Sequence, residues 1–248
     1  MEKDIVIRQE IGTMVDIHIH VIPDVDDGAE NIEDSLSMLQ TAQMQGVTSV
    51  IATPHNSAFD YGFEEVRREF ARLQSAVQER QIPVRLGLGA EILCFESDMN
   101  MIIKLLGNGT YPTMNGTRYV LAEFFPNASK RAFFYCLRRL QQAGYLPIIA
   151  HAERYHNFDL ESARELHAEG FLIQMNVYSV KQENYDRIRR RARSLLENRL
   201  VDFIGSDSHG MGHRPPAYTP GVDYMINHYD RAYLNSILEG NPASLLHA

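Results

Sequence analysis

Five histidines and four carboxylates in this chain stand where they could gather divalent cations. His18-Ile19-His20 comes first, followed within a short loop by Asp24, Asp26 and Asp27. On a strand, alternation sends His18 and His20 to one face and Ile19 to the other. Two neutral imidazoles side by side are a natural bite for a transition metal. His55 lies in the turn ATPHN (52–56), Glu91 closes GLGAE (87–91), and Glu123 closes VLAE (120–123). His151 ends the apolar part of PIIAHAER (147–154), which also carries Arg154, and Asp207 and His209 stand two apart in FIGSDSHG (203–210). Taken singly, each has a bland account, because a charged residue after an apolar run is often just the first solvated position.

The elements that must position these residues are legible as short apolar runs alternating with longer amphipathic ones. The pattern predicts strands over 15–19, 48–53, 84–91, 118–123, 146–151, 171–177 and 202–206. It predicts helices over 33–45, 63–80, 130–143, 160–169, 183–198 and 223–238. The first helix has acids in its opening turn and Gly46 just past its end, the expected start and stop chemistry. Seven strands alternating with helices imply a parallel α/β sheet, and a closed or nearly closed barrel fits the count, with an open doubly wound sheet as the alternative. Residues 107–116 read as a loop. Residues 209–220 read as a long Gly/Pro-rich loop that flanks a site.

Six of these strands end in His, Asp or Glu, and strand C-termini in parallel α/β folds share one face. Nine such groups crowded there would be badly repulsive or desolvated without added cations. A multinuclear metal site is the economical reading.

Composition narrows the class further. The 248 residues fit one larger domain, with residues 1–13 as a leader ahead of the first strand, and the 44% apolar content supplies a sizeable core. A net charge of −8 argues against a nucleic-acid partner. The one basic run, RIRRRAR (187–193), reads as a solvated helix face or a contact for an acidic partner. Cys94 and Cys136 match no metal or redox spacing and read as buried thiols in a reducing compartment. The charged N-terminus is no signal peptide, and nothing approaches the roughly 20 apolar residues of a membrane span. A cytoplasmic protein without membrane insertion is expected; an oligomer is compatible with all of this.

The order HxH, loop Asp, TPH, strand-end Glu, second Glu, IAHAERY and GSDSHG resembles the PHP (polymerase and histidinol phosphatase) superfamily. Within it, DIHIHVIPDVDDG, ATPH, GAEI, IAHAERY and GSDSHG are similar to the bacterial protein-tyrosine phosphatases encoded with capsular and exopolysaccharide genes. The likeness runs from about Met14 to beyond Arg214. It implies a distorted seven-stranded (β/α) barrel, TIM-barrel-like, holding three divalent cations. The first would take His18, His20, Glu91 and Asp207; Glu91 would bridge to a second, completed by Glu123 and His151; Asp27, His55 and His209 would hold a third. Many relatives in the superfamily have His in place of Asp27 and of Glu123, so the two carboxylates favour the tyrosine phosphatase branch over the histidinol-phosphate branch. Their oxygen ligands tilt the site toward manganese or iron, with zinc as the alternative.

The resemblance further implies phosphotyrosine hydrolysis by a metal-bridged hydroxide, acting on the tyrosine kinase that controls polysaccharide assembly. Arg154 and Arg214 would hold phosphoryl oxygens, for which the planar guanidinium fork is suited. A phenolate leaves with a pKa of about 10 and needs no strong acid. No cysteine nucleophile is needed, since neither Cys94 nor Cys136 has an Arg at the sixth position after it. A small-molecule phosphoesterase and a non-catalytic kinase-docking regulator are the competing readings. Asp24 and Asp26 are expected to shape the loop or support ligands, and His156, His167, His213, His228 and His247 to lie outside the ligand set.

Overall fold

Eight parallel strands carry the chain from one end of the fold to the site, in a computed structural model that describes residues 12–246. They are β1 (Met14–Ile19), β2 (Val47–Ala52), β3 (Arg85–Leu88), β4 (Glu91–Leu93), β5 (Tyr119–Glu123), β6 (Leu146–Ile149), β7 (Leu172–Asn176) and β8 (Phe203–Gly205). The main helices are α1 (Ile32–Met44), α2 (Asn56–Glu79), α3 (Met99–Gly107), α4 (Lys130–Gln142), α5 (Leu160–Ala168), α6 (Asp186–Glu197) and α7 (Thr219–His228). Local chemistry fixes several starts: the side chains of Asn31, Ser129 and Asp159 accept from the first free amides of α1, α4 and α5.

The ladders run β1-β2-β3 and β4-β5-β6-β7-β8. Single parallel bridges join the two sheets at both sides, His55 with Glu91 and Ile19 with Ser208. Among the described residues no continuous ladder closes the ring, and the result is a distorted (β/α)7 barrel. Its interior is filled by Val15, Ile17, Ile51, Leu121, Ile148 and Phe203, while the larger apolar cluster lies between the strands and the helices.

The expected strand 84–91 is two pieces, β3 and β4, separated at Gly89-Ala90. Up to Leu88 the chain pairs with β2; from Glu91 it pairs with β5. The switch passes through Gly89, whose amide donates to the Ala52 carbonyl, and a Cβ there would come 3.0 Å from Met114 Sδ. Glu91 therefore opens a strand instead of closing one. Other boundaries moved as well. The strand over 146–151 stops at Ile149, and the helix over 63–80 begins at Asn56, with a kink at Gly62. The helix over 183–198 starts at Asp186 after a 3₁₀ segment, Val177–Lys181. The helix over 223–238 is two: α7 ends at His228, Tyr229 is extended, and the Asp230 side chain caps a new helix at Arg231. Helix α3 was not anticipated. Most of the N-terminal leader lies outside the described residues.

Candidate metal centre

Strand β1 departs from strict alternation where the site begins. Its register with β2 slips between Asp16 and Ile19, so Ile17 packs into the barrel interior while Ile19 packs outward. His18 and His20 are fully buried, with their Nε2 atoms 3.4 Å apart. Around them lie Glu91, 3.3 Å from His18 Nε2 and 3.4 Å from His20 Nε2, and Asp207, whose Oδ1 is 3.6 and 3.8 Å from the same atoms. His151 Nε2 is 2.9 Å from Glu91 Oε1 and 3.7 Å from Glu123 Oε1. Asp27 Oδ1 sits 3.3 Å from His55 Nε2 and 3.5 Å from His209 Nε2. All nine residues singled out in the sequence fall in this one cluster. The sets interlock: His20 also groups with Asp27, His55 and His209, and His18 with Glu91 and His151.

A hydrogen-bond network behind the candidate ligands sets the tautomers of His18, His20 and His209. The buried Gln174 donates to Asn176 Oδ1 and accepts from the His151 amide, so its Oε1 faces His18 Nδ1 at 3.2 Å. His18 must therefore carry a proton on Nδ1, and so must His20, whose Nδ1 meets Asp26 Oδ2 at 2.7 Å. His209 Nδ1 donates to the Asp207 carbonyl, and its buried Nε2 makes no hydrogen bond. Three Nε2 lone pairs thus face carboxylates and one another, an arrangement satisfied by cations and otherwise by extra protons. The donor set fits divalent metals.

The metal-free electrostatics agree. Burial would drive protons off His18, His20 and His55, but the neighbouring carboxylates outweigh it and raise all three above the usual histidine value. Burial beside Glu91 pushes Glu123 up to about 7. Burial, His20 and Arg214 hold His209 at about 3, and burial also lowers His151. Despite burial, the histidines keep Glu91 and Asp207 below the ordinary carboxylate range. Two candidate ligands sit on left-handed backbone, His151 at φ 29° and Asp207 at φ 54°, conformations that non-glycine residues hold only when their surroundings impose them.

Arg154 Nη1 lies 2.6 Å and Arg214 Nη1 3.2 Å from Asp207 Oδ2, which also accepts from Asn176 Nδ2 at 2.9 Å. Both arginines thus form ion pairs with the Asp207 carboxylate. Arg214 belongs to the loop over 209–220, whose far end is clamped by Gln45 through Pro216, Tyr218 and Thr219.

A family model for capsular polysaccharide synthesis, CpsB/CapC, matches residues 14–247. The chain belongs to the CpsB/CapC family. Among CpsB/CapC proteins, the tyrosine-protein phosphatase CpsB of Streptococcus pneumoniae is 31% identical over 242 residues, covering 94% of this chain and 98% of that one. The tyrosine-protein phosphatase YwqE of Bacillus subtilis is 30% identical over 207 residues, 80% of this chain and 78% of that one. A solved chain from the crystal structures of YwqE and CpsB, described as unique metal-dependent tyrosine phosphatases, has a TM-score of 0.81 at 28% identity and covers 94% of both chains.

For this CpsB/CapC chain, sequence reasoning missed the supporting residues Gln174, Asn176 and Asp16. Asp16 is buried and accepts from the His18 and Ser206 amides and from the Ser206 and Tyr218 hydroxyls, tying β1 to the segment after β8. Asp26 takes the supporting role expected of it, and Asp24 is exposed. His156 and His213 are exposed, His167 pairs with Asp202, His228 bonds to the Tyr224 carbonyl, and His247 is outside the described residues. Both cysteines are buried and free. The basic run is not all solvated: Arg191 donates to the Tyr155 and His156 carbonyls and Arg193 to that of Val180. No described helix is long and apolar enough to cross a membrane.

Proposed function

We propose that this protein is a metal-dependent protein-tyrosine phosphatase of capsular or exopolysaccharide synthesis, acting in the cytoplasm on a phosphorylated tyrosine kinase of the assembly machinery. The observation that carries this is the cluster of nine ligand-type side chains from strand ends, following loops and the start of β4, with three imidazole Nε2 atoms left for cations. His18, His20, Glu91 and Asp207 would hold one cation, Glu91, Glu123 and His151 a second, and Asp27, His55 and His209 a third. The carboxylates favour manganese or iron over zinc. Bound divalent cations would supply Lewis acidity at the phosphoryl oxygens and lower the pKa of the attacking water.

The chain's own contribution is charge and position. Arg154 and Arg214 are held beside Asp207 and offer guanidinium donors to the remaining phosphoryl oxygens, where negative charge builds in the transition state. Gln174 and Asp26 hold His18 and His20 in the tautomer that leaves Nε2 free. The leaving phenolate, with a pKa of about 10, departs with little help from an acid. Cys94 is unsuited as a nucleophile, since burial pushes its thiol well above the usual value.

The test uses purified protein stripped of metal and refilled with manganese, iron or zinc. It is offered a phosphotyrosine peptide, histidinol phosphate and a nucleoside monophosphate. Preferred turnover of the peptide is expected; preference for either small molecule defeats the assignment. No turnover with any metal, while binding to a kinase tail persists, would mark a docking regulator.

A further inference from the structure

Glu123 has a neighbour across the sheet that its chemistry does not require. In the β4–β5 ladder Leu93 pairs with Glu123, and the Cys94 amide donates to the Glu123 carbonyl at 2.9 Å. Two residues beyond this pair each segment carries a phenylalanine, Phe95 after Leu93 and Phe125 after Glu123. Their rings meet with centroids 4.8 Å apart at 59°. Phe125 remains 49% exposed and nearby Met101 54% exposed. A cavity of about 700 Å³ is lined by His55 and Glu123 of the candidate metal cluster together with Leu93, Phe95 and Met101.

Polar and anionic groups line the same cavity. Asn56 accepts from the Leu93 amide and donates to the Tyr111 hydroxyl, which donates to Asp60, and Asp98 lines the same cavity. Two carboxylates there disfavour a second phosphate or a carboxylated substrate. An uncharged flat ring meets no such penalty and covers apolar surface that otherwise faces water.

We propose that Phe95, braced by Phe125 and flanked by Met101, is the platform for the aromatic ring of the phosphotyrosyl substrate and sets the preference for aryl over alkyl phosphate esters. This rests on the phosphotyrosine assignment above. A phosphoserine placed with its phosphate at the cations would leave the platform uncovered. Phenylphosphonate, which is not hydrolysed, would lie along it, whereas methylphosphonate would not reach it.

The test measures calorimetric binding of phenylphosphonate and methylphosphonate to the metal-loaded full chain, together with kcat and KM on phosphotyrosine and phosphoserine peptides of one sequence. Phe95→Ala is expected to weaken phenylphosphonate about tenfold, the scale of one good aromatic contact, and to raise KM for the phosphotyrosine peptide similarly. Methylphosphonate affinity and metal content should stay unchanged, and Phe95→Tyr should retain wild-type behaviour. No loss for phenylphosphonate, or equal loss for both phosphonates, overturns the proposal. So does a selective loss in Tyr178→Ala, the exposed aromatic beyond β7, with Phe95→Ala unaffected. If the wild-type protein hydrolyses both peptides equally well, the phosphotyrosine assignment itself fails, whatever the Phe95 variants do.

Discussion

Gln174→Met should cost this protein both stability and metal while leaving the shape of β7 intact. The side chain is fully buried, and its Oε1 faces two donors, the His151 amide at 2.6 Å and His18 Nδ1 at 3.2 Å. Methionine fills a similar volume and accepts from neither, so two buried donors lose their partner. Each orphaned group costs about 1–3 kcal/mol; some relaxation is expected, so about 3 kcal/mol in total is a reasonable figure. In a protein of this size that lowers Tm by roughly 6–12 °C. The second effect is chemical: without its acceptor, His18 no longer favours the Nδ1–H tautomer, and metal affinity should fall about 10–100-fold. Gln174→Glu keeps the acceptor but loses the bond to Asn176 and adds a buried carboxyl, so it should retain more metal than Gln174→Met while still losing stability. Thermal denaturation with and without chelator, and competition against a chromophoric chelator, would measure both quantities. Unchanged metal affinity in Gln174→Met, despite the stability loss, would refute the role given to Gln174 in fixing His18.

Asp26→Asn should weaken metal binding by about 10–100-fold in the same chelator assay, because His20 Nδ1 loses a carboxylate partner at 2.7 Å. Arg154→Ala should lower kcat/KM for a phosphotyrosine substrate by about 10²–10³ while elemental analysis finds the metal retained; lost metal would mean that Arg154 supports the ligands instead. Metal affinity should rise with pH through neutrality. In the metal-free chain His18, His20 and His55 hold protons above the usual histidine range and Glu123 up to about 7, so cations must displace protons and bind more weakly below that pH. A flat affinity between pH 6 and 8 contradicts this. Gly205→Ala should fold poorly or lose metal, since its new Cβ would stand 2.7 Å from His18 Cβ and 2.9 Å from Gln174 Nε2, both on packed strands. Circular dichroism and metal content would read it.

The candidate ligands were conspicuous because histidines and carboxylates stand out at the ends of apolar runs, and the parallel α/β pattern brings those ends together in one cluster. The supporting residues were quieter. The strand over 171–177 was the one without a charged terminus, yet it supplies Gln174 and Asn176, neutral polar residues two apart that share a face of β7. That spacing inside an apolar run was the available signal. Asp16 was hidden differently, because its partners Ser206 and Tyr218 are about 200 residues away. The break at Gly89 is invisible to hydropathy, since GLGA reads as one continuous strand and only the change of pairing partner divides it. Helix α3 is nine residues long, too short for periodicity to distinguish it from a buried strand.

The bridge between Ile19 and Ser208 bears on the order of assembly. Residues 14–88 can lay down one sheet and residues 91–205 the other as the chain is made, each by pairing near neighbours. Bringing β1 against β8 closes a loop of nearly the whole chain, the slowest kind of contact to form. His18 and His20 lie on one side of that closure, and Asp207 and His209 on the other. Cations held between them, as proposed, would act as late cross-links, so the first turn of backbone to exchange its amides after chelation should be the one that joins the chain's beginning to its end.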